Sequence, residues 1–211
     1  MSPKEIAKQN LANTIIKNME KKNLEAYYCA TSAEAVKKAL SLMPEGASIT
    51  WGGSESIKEC GLMDAIQAAN YELIDRTDAK TPEEDRIMYS RQVMADFFLM
   101  SSNAITIDGE LVNIDGRANR VSLLCWGPQN VIVIAGMNKI TSDVESAIQR
   151  VRDAAAPPNT VRLNKNTPCA QTGRCGNCYS PDCICSQIVI TRRSSTPKRI
   201  KVILVGEELG Y

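Results

Sequence analysis

Ala7, Leu11, Ile15 and Met19 recur at four-residue spacing near the start of the chain and predict an amphipathic helix to about residue 22. Ser2-Pro3-Lys4-Glu5 opens it as a capping box with Pro at the first helical position. Residues 24–30 read as a short strand, and Thr31-Ser32-Ala33-Glu34 opens a helix that Pro44 and Gly46 close. Residues 47–50 form a short strand, and Trp51-Gly52-Gly53-Ser54 turns into a helix over roughly 55–70. After a strand at 71–75, Thr81-Pro82-Glu83-Glu84 caps a longer helix reaching about residue 97, with Asp85 and Arg86 in its first turn. Runs at 104–107 and 110–114 flank Asp108-Gly109, a two-residue hairpin signal. Asp115-Gly116 makes a second turn before 120–125. Residues 131–135 are unbroken apolar positions, as in a strand buried on both faces. Ser142-Asp143-Val144-Glu145 caps a helix to about residue 156, and the β-prone run 199–205 comes last. This alternation predicts an α/β fold: a mostly parallel sheet with helices on both faces, carrying a hairpin insertion.

The segment 157–197 breaks the pattern. It shows neither period, and five of the eight cysteines fall between Cys169 and Cys185. So long an unpatterned stretch implies a clamp. Cys169, Cys175, Cys178 and Cys185 have the spacing C-x5-C-x2-C-x6-C, with Cys183 as a fifth candidate. The C-x-x-C pair lets two thiolates reach one centre from a single turn. Gly173 and Gly176 supply the backbone freedom of a wrap, and Arg174 favours thiolates nearby. Four thiolates suit a [4Fe–4S] cluster or a Zn²⁺ ion. Cys29, Cys60 and Cys125 lie in apolar or amphipathic runs and read as small buried residues. The chain therefore divides into a core at 1–156, a cysteine-rich metal-binding segment at 157–197 and a strand at 198–211 returning to the core.

Composition narrows the function. Hydrophobic residues make up 44% and charged residues 23%, as in a globular protein, and the net charge of +1 offers no field for nucleic acid. The absence of an 18-residue apolar run and of an apolar leader after Met1 predicts no membrane span and a cytoplasmic location. There is no histidine, so acid–base chemistry must come from Asp, Glu, Lys, Tyr or Cys.

Two polar groups could bind a ligand. Gly52, Gly53 and Ser54 form a glycine-rich turn at the carboxyl end of a strand, where open α/β sheets bind ligands, although Glu55 and Glu59 oppose an anion there. Read without a ligand, it is a tight turn with Ser54 as N-cap. The second group is Asp108, Asp115, Asn119 and Arg120 with Asn138 and Lys139 after the buried strand. It suggests a pocket for a small organic acid, its carboxylate taken by Lys139 or Arg120; otherwise these are hairpin turns and a solvated lysine. If the central strand leads to Lys139, that residue and Gly53 should share one edge of the sheet.

One resemblance extends over nearly the whole chain from about Asn10. Ala95-Asp96-Phe97-Phe98-Leu99-Met100-Ser101-Ser102-Asn103-Ala104-Ile105-Thr106, then Asp108-Gly109-Glu110-Leu111-Val112-Asn113-Ile114-Asp115-Gly116 and Asn119-Arg120-Val121, resemble the LUD (lactate utilisation, formerly DUF162) family. So do Gly127-Pro128, residues 131–140 and the terminal Leu204-Val205-Gly206-Glu207-Glu208-Leu209-Gly210-Tyr211. The resemblance implies a fold similar to ribose-5-phosphate isomerase and the CoA transferases. It also implies a link to oxidation of lactate to pyruvate beside iron–sulfur or other redox partner proteins. The cysteine segment resembles that of the family's stand-alone branch, which favours Cys185 over Cys183 as fourth ligand. The expected function is thus redox metabolism of a small organic acid by an iron–sulfur protein. The alternatives are an accessory module with a structural zinc and a metal-independent transferase or isomerase.

Overall fold

Local signals set the first elements. In the computed structural model, which describes residues 2–211, Ser2 accepts from the Glu5 N–H and Glu5 returns to the Ser2 N–H, opening α1 (Pro3–Glu20). Then come β1 (Glu25–Cys29), α2 (Ser32–Ser41) and β2 (Ser48–Trp51). The helix expected over 55–70 is two short ones, α3 (Glu55–Glu59) and α4 (Leu62–Gln67). They break at Gly61, whose φ of 83° is left-handed and cheap only for glycine. After β3 (Glu72–Ile74), a second capping box at Thr81 and Glu84 opens α5 (Pro82–Val93).

That helix does not reach residue 97. Residues Phe97–Met100 form β4, buried at all four positions. β5 (Ala104–Thr106) and β6 (Leu111–Asp115) form the expected antiparallel hairpin, but four residues, 107–110, connect them. Gly109 takes a φ of 84° there and packs against Met19 of α1. Run 120–125 is helical, α6 (Asn119–Cys125), entered through Ala118 at a φ of 63°. Val121 and Leu124, three apart, put one face of it in the core. β7 (Asn130–Gly136), β8 (Ile140–Thr141) and α7 (Val144–Arg150) follow, and Asp143, not Ser142, caps α7.

The helical path continues past residue 156, through a π turn at Val151–Ala155 into α8 (Ala156–Arg162). Pro157 and Pro158 lack N–H donors, and the wider turn carries the chain past that gap. The cysteine region then holds α9 (Pro168–Thr172) and β9 (Gln187–Thr191), and β10 (Ile200–Val205) completes the chain.

Six strands form one parallel sheet in the order β1-β10-β7-β4-β2-β3. Alternate side chains supply its two cores. Phe98, Met100, Val131, Val133 and Val202 pack with Ile15 and Met19 of α1 and Leu124 of α6. Phe97, Leu99, Ile132, Ile134 and Ile203 pack with Ala35 and Ala39 of α2, Ile57 of α3 and Leu62 and Ile66 of α4. Both layers exclude water from β7 and β4, which accounts for their unbroken apolar runs. The hairpin belongs to a second sheet, β8-β5-β6-β9, with Ala147, Val151 and Ala155 packed against it. Strand β9 ties the cysteine region to β6 from Leu111↔Thr191 to Asp115↔Gln187. No helix among the described residues is long and apolar enough to cross a membrane.

Candidate functional site

All six strands of the main sheet run the same way, so the turns after β2, β4 and β7 and the tail after β10 meet at one edge. A cleft of about 590 Å³ opens there. Gly53 and Ser54 after β2, Lys139 after β7, and Asp115, Asn119 and Arg120 beside the hairpin all line it. Lys139 and Gly53 thus share an edge. Gly52 sits just behind, its N–H donating to Leu99 and its Cα packed against the Arg120 stem. Asn138 does not face the cleft: its Oδ1 accepts from the Leu209 N–H and its Nδ2 donates to the Gly210 carbonyl, holding the tail. Asp108 is exposed at the hairpin tip and lines none of this cleft. Ser54 is the N-cap of α3, accepting from the Ile57 N–H.

Arg120 is a frame, not a free hook. Its guanidinium donates to the Ser101 and Ile114 carbonyls and to the Asn103 and Asn113 side chains. The fifth N–H faces Asp115 at 3.7 Å. Asp115 in turn accepts from the Gly116 and Val121 N–H groups, fixing the start of α6. With four of its five donors hydrogen-bonded and the fifth turned toward Asp115, Arg120 has none aimed at a ligand carboxylate. Arg150 does similar work, donating to the Asn138 and Asn103 carbonyls. Cationic side chains of a different kind stand at the cleft wall. Arg76 is exposed, close to Gly53, and forms no ion pair among the described residues. Arg162 pairs with Glu55 at 3.2 Å.

Lys139 is only 4% exposed. Its Nζ donates to Ser56 Oγ at 2.8 Å and Ser101 Oγ at 3.1 Å. Burial pulls its ammonium down from 10.5 to about 7, Arg150 and Arg120 add to this, and Glu59 opposes it. The unfolded chain therefore holds a proton between about pH 7 and 10 that the native protein has released, and stability rises with pH across that window. Lys139→Met removes this titration. Its stability relative to the wild type should fall by roughly 3 kcal/mol between pH 7 and 10, at about 1.4 kcal/mol per unit. Urea unfolding of both proteins at the two pH values checks this; parallel profiles would show that Lys139 stays charged.

Cys169, Cys175, Cys178, Cys183 and Cys185 line a second cavity of about 480 Å³. Thr167 caps α9 and places Cys169, whose Sγ lies 3.3 Å from Thr167 Oγ1 and 3.5 Å from Thr160 Oγ1. The Asn177 N–H donates to Cys175 Sγ. Burial pushes the Cys185 thiol up to about 12, and the nearby thiols of Cys183, Cys175 and Cys169 reinforce this. Crowded thiolates of this kind need a cation to ionise together. Among the described residues, no three Cys, Asp or Glu side chains stand as one bound ion would require. A zinc gathers its sulfurs about 2.3 Å from one point, whereas a [4Fe–4S] cluster spreads four thiolates over its own irons. Four thiolates are a donor set that either group accepts. Of the other cysteines, Cys29 and Cys60 are buried as expected, but Cys125 is exposed because it ends α6 on the solvent side.

Sequence reasoning missed Ser56, Ser101, Arg76 and Arg162, which carry no motif, and the double role of Cys183 and Cys185, which line both cavities.

No curated protein matches the chain. Among solved structures it is similar to a DUF162 family protein from Deinococcus radiodurans, with a TM-score of 0.58 and 14% identity over 94% of this chain and 98% of that one. The eIF2B delta subunit from Chaetomium thermophilum aligns at a TM-score of 0.37 and 14% identity, over 66% of this chain and 54% of that one. The model of the LUD domain matches residues 12–205, from within α1 to the last residue of β10, and the chain belongs to that family.

Proposed function

We propose that the chain is an iron–sulfur protein of small-organic-acid redox metabolism, with lactate as the model substrate. A [4Fe–4S] cluster would be held by Cys169, Cys175, Cys178 and Cys185, and when bound it supplies electron transfer. The acid would lie in the cleft between Gly53, Ser54 and Asn119, with the exposed Arg76 facing its carboxylate. A redox partner protein would exchange electrons with the cluster. The fold resembling ribose-5-phosphate isomerase and the CoA transferases belongs to this reading too. One observation carries it: residues Pro181, Cys183, Ile184, Cys185 and Ser186 line both cavities, so one segment separates the cysteine pocket from the cleft.

Anaerobic purification followed by iron and sulfide analysis and a visible spectrum tests the first half. About four irons per chain are expected, as the cluster's formula requires. A colourless protein with one zinc would replace the cluster with a structural ion. Titration with lactate tests the second half, and Arg76→Ala should weaken binding roughly tenfold, as loss of one charge-assisted hydrogen bond does. Equal affinity of the variant would remove Arg76 from the site.

A further inference from the structure

Lys139 is more deeply embedded than a ligand-binding cation needs to be, and its partners are hydroxyls, not carboxylates. We propose that Ser101 and Lys139 form a nucleophile–base pair that transfers the acyl group of an ester or thioester bound in the cleft. The inference rests on the cleft alone and not on the cysteine pocket.

Proximity and burial of the pair carry the argument. Ser56 Oγ donates to the Leu209 carbonyl at 3.2 Å, so its proton is committed and it accepts from Lys139. That bond orients the amine. Ser101 Oγ lies 3.1 Å from Nζ on the other side. When Lys139 is charged, Ser101 Oγ accepts from it and donates to the carbonyl of the adjacent Ser102 at 3.3 Å. A neutral amine has one lone pair, and the Ser101 hydroxyl can donate to it by turning away from the Ser102 carbonyl. Ser56 is 1% exposed and Ser101 7%, and both line the cleft. The turn bearing Ser101 is held on both sides: Arg120 donates to its carbonyl and Arg150 to that of Asn103. Such a preset pair avoids the entropy cost of assembling it.

The groups facing the amine agree with the base role. Arg120 and Arg150 disfavour its charged form and Glu59 favours it, with burial the larger influence. A neutral amine at physiological pH is what a general base needs. In the first step the Ser101 oxygen bonds to the acyl carbon while Lys139 takes the hydroxyl proton. The bond to the leaving oxygen or sulfur then breaks, and the Lys139 ammonium returns the proton to it. Water, deprotonated by Lys139, attacks the acyl-serine, the bond from the acyl carbon to Oγ breaks, and the Lys139 ammonium returns the proton to Oγ, releasing the carboxylic acid and regenerating Ser101 and the neutral amine.

The test uses the full chain, a fluorophosphonate probe and p-nitrophenyl acetate. The wild-type protein should carry the probe on Ser101 by peptide mapping, whatever its metal content. Cleavage of p-nitrophenyl acetate should rise with pH to a plateau above about 7. Ser101→Ala should lose the adduct, and Lys139→Met should slow cleavage by roughly 10²- to 10⁴-fold, the usual worth of a general base. Ser56 is a positioning residue: Ser56→Ala should keep the adduct on Ser101 but lower kcat more than it raises KM and shift the pH midpoint. A wild-type protein that takes no probe on Ser101, an adduct on Lys139 instead, or a Lys139→Met protein that cleaves at the wild-type rate would overturn the proposal. Because the map is made on wild-type protein, a variant that fails to fold does not blunt the test.

Discussion

Cys178→Ser protein purified without oxygen is expected to carry no cluster, and its segment from Asn166 to Ser186 should exchange amide protons faster. Serine keeps the size of cysteine but has no thiolate to offer the metal, and metal affinity and local order are coupled. Cys175→Ser should behave alike. The loosening should stay local, because protein contacts already hold the ends of the segment. The Asn166 N–H donates to Asp182 at 3.0 Å, Ser180 Oγ donates to the Asn166 carbonyl, and β9 pairs along β6. Cys29→Ser should leave metal content unchanged, since Cys29 is buried on the sheet face that packs against α2. Cys183→Ser should retain metal and Cys185→Ser lose it; the opposite result would make Cys183 the fourth ligand. Full metal content in Cys178→Ser would end the cluster assignment.

Phe98→Ala is expected to cost about 3–5 kcal/mol of stability, the usual toll of removing a buried ring. Phe98 is wholly buried in β4, within the core that β7, α1 and α6 complete. The tip of its ring lies beneath Gly52, which in turn packs on the Arg120 stem. The cavity would therefore undercut the cleft floor as well as the core. For a chain of this length the melting temperature should fall by about 6–20 °C, taking 2–4 °C per kcal/mol. Urea unfolding should show a lower midpoint at an unchanged slope, the sign of lost stability without a change in surface exposed. A loss below about 1 kcal/mol would mean that β4 is not the inner strand described.

What could be read from the sequence was what depends on neighbours in the chain. The caps at Ser2, Thr31 and Thr81 use residues three apart, and each opens a helix where expected. The apolar run in β7 encodes its own burial on both faces, and Asp108-Gly109 encodes its hairpin, though with a loop two residues longer. The Cys175-Cys178 pair names a sulfur-rich pocket without reference to the fold, because the spacing alone brings two thiols together. Some local signals were present but outweighed. Phe97–Met100 is as apolar as β7, yet it follows the helical pattern of α5 without a Gly or Pro to separate them. Ile188-Val189-Ile190 is β-prone but lies in the cysteine region, where the metal motif dominated the reading.

Tertiary structure alone decided the cleft. Lys139 bonds to Ser56, 83 positions away, and to Ser101, 38 positions away. No spacing rule links them; they meet because β2, β4 and β7 lie side by side and point the same way. Parallel pairing gathers distant turns at one edge, so chemistry there is invisible to any local pattern. Arg120 illustrates the same limit from the other side. Its sequence context suggested a hook for a carboxylate, but folding surrounded it with acceptors from the turn after β4 and from β6 and turned it into a brace. The sequence determined which side chains were available, and the packing of the sheet determined which of them remained free to act.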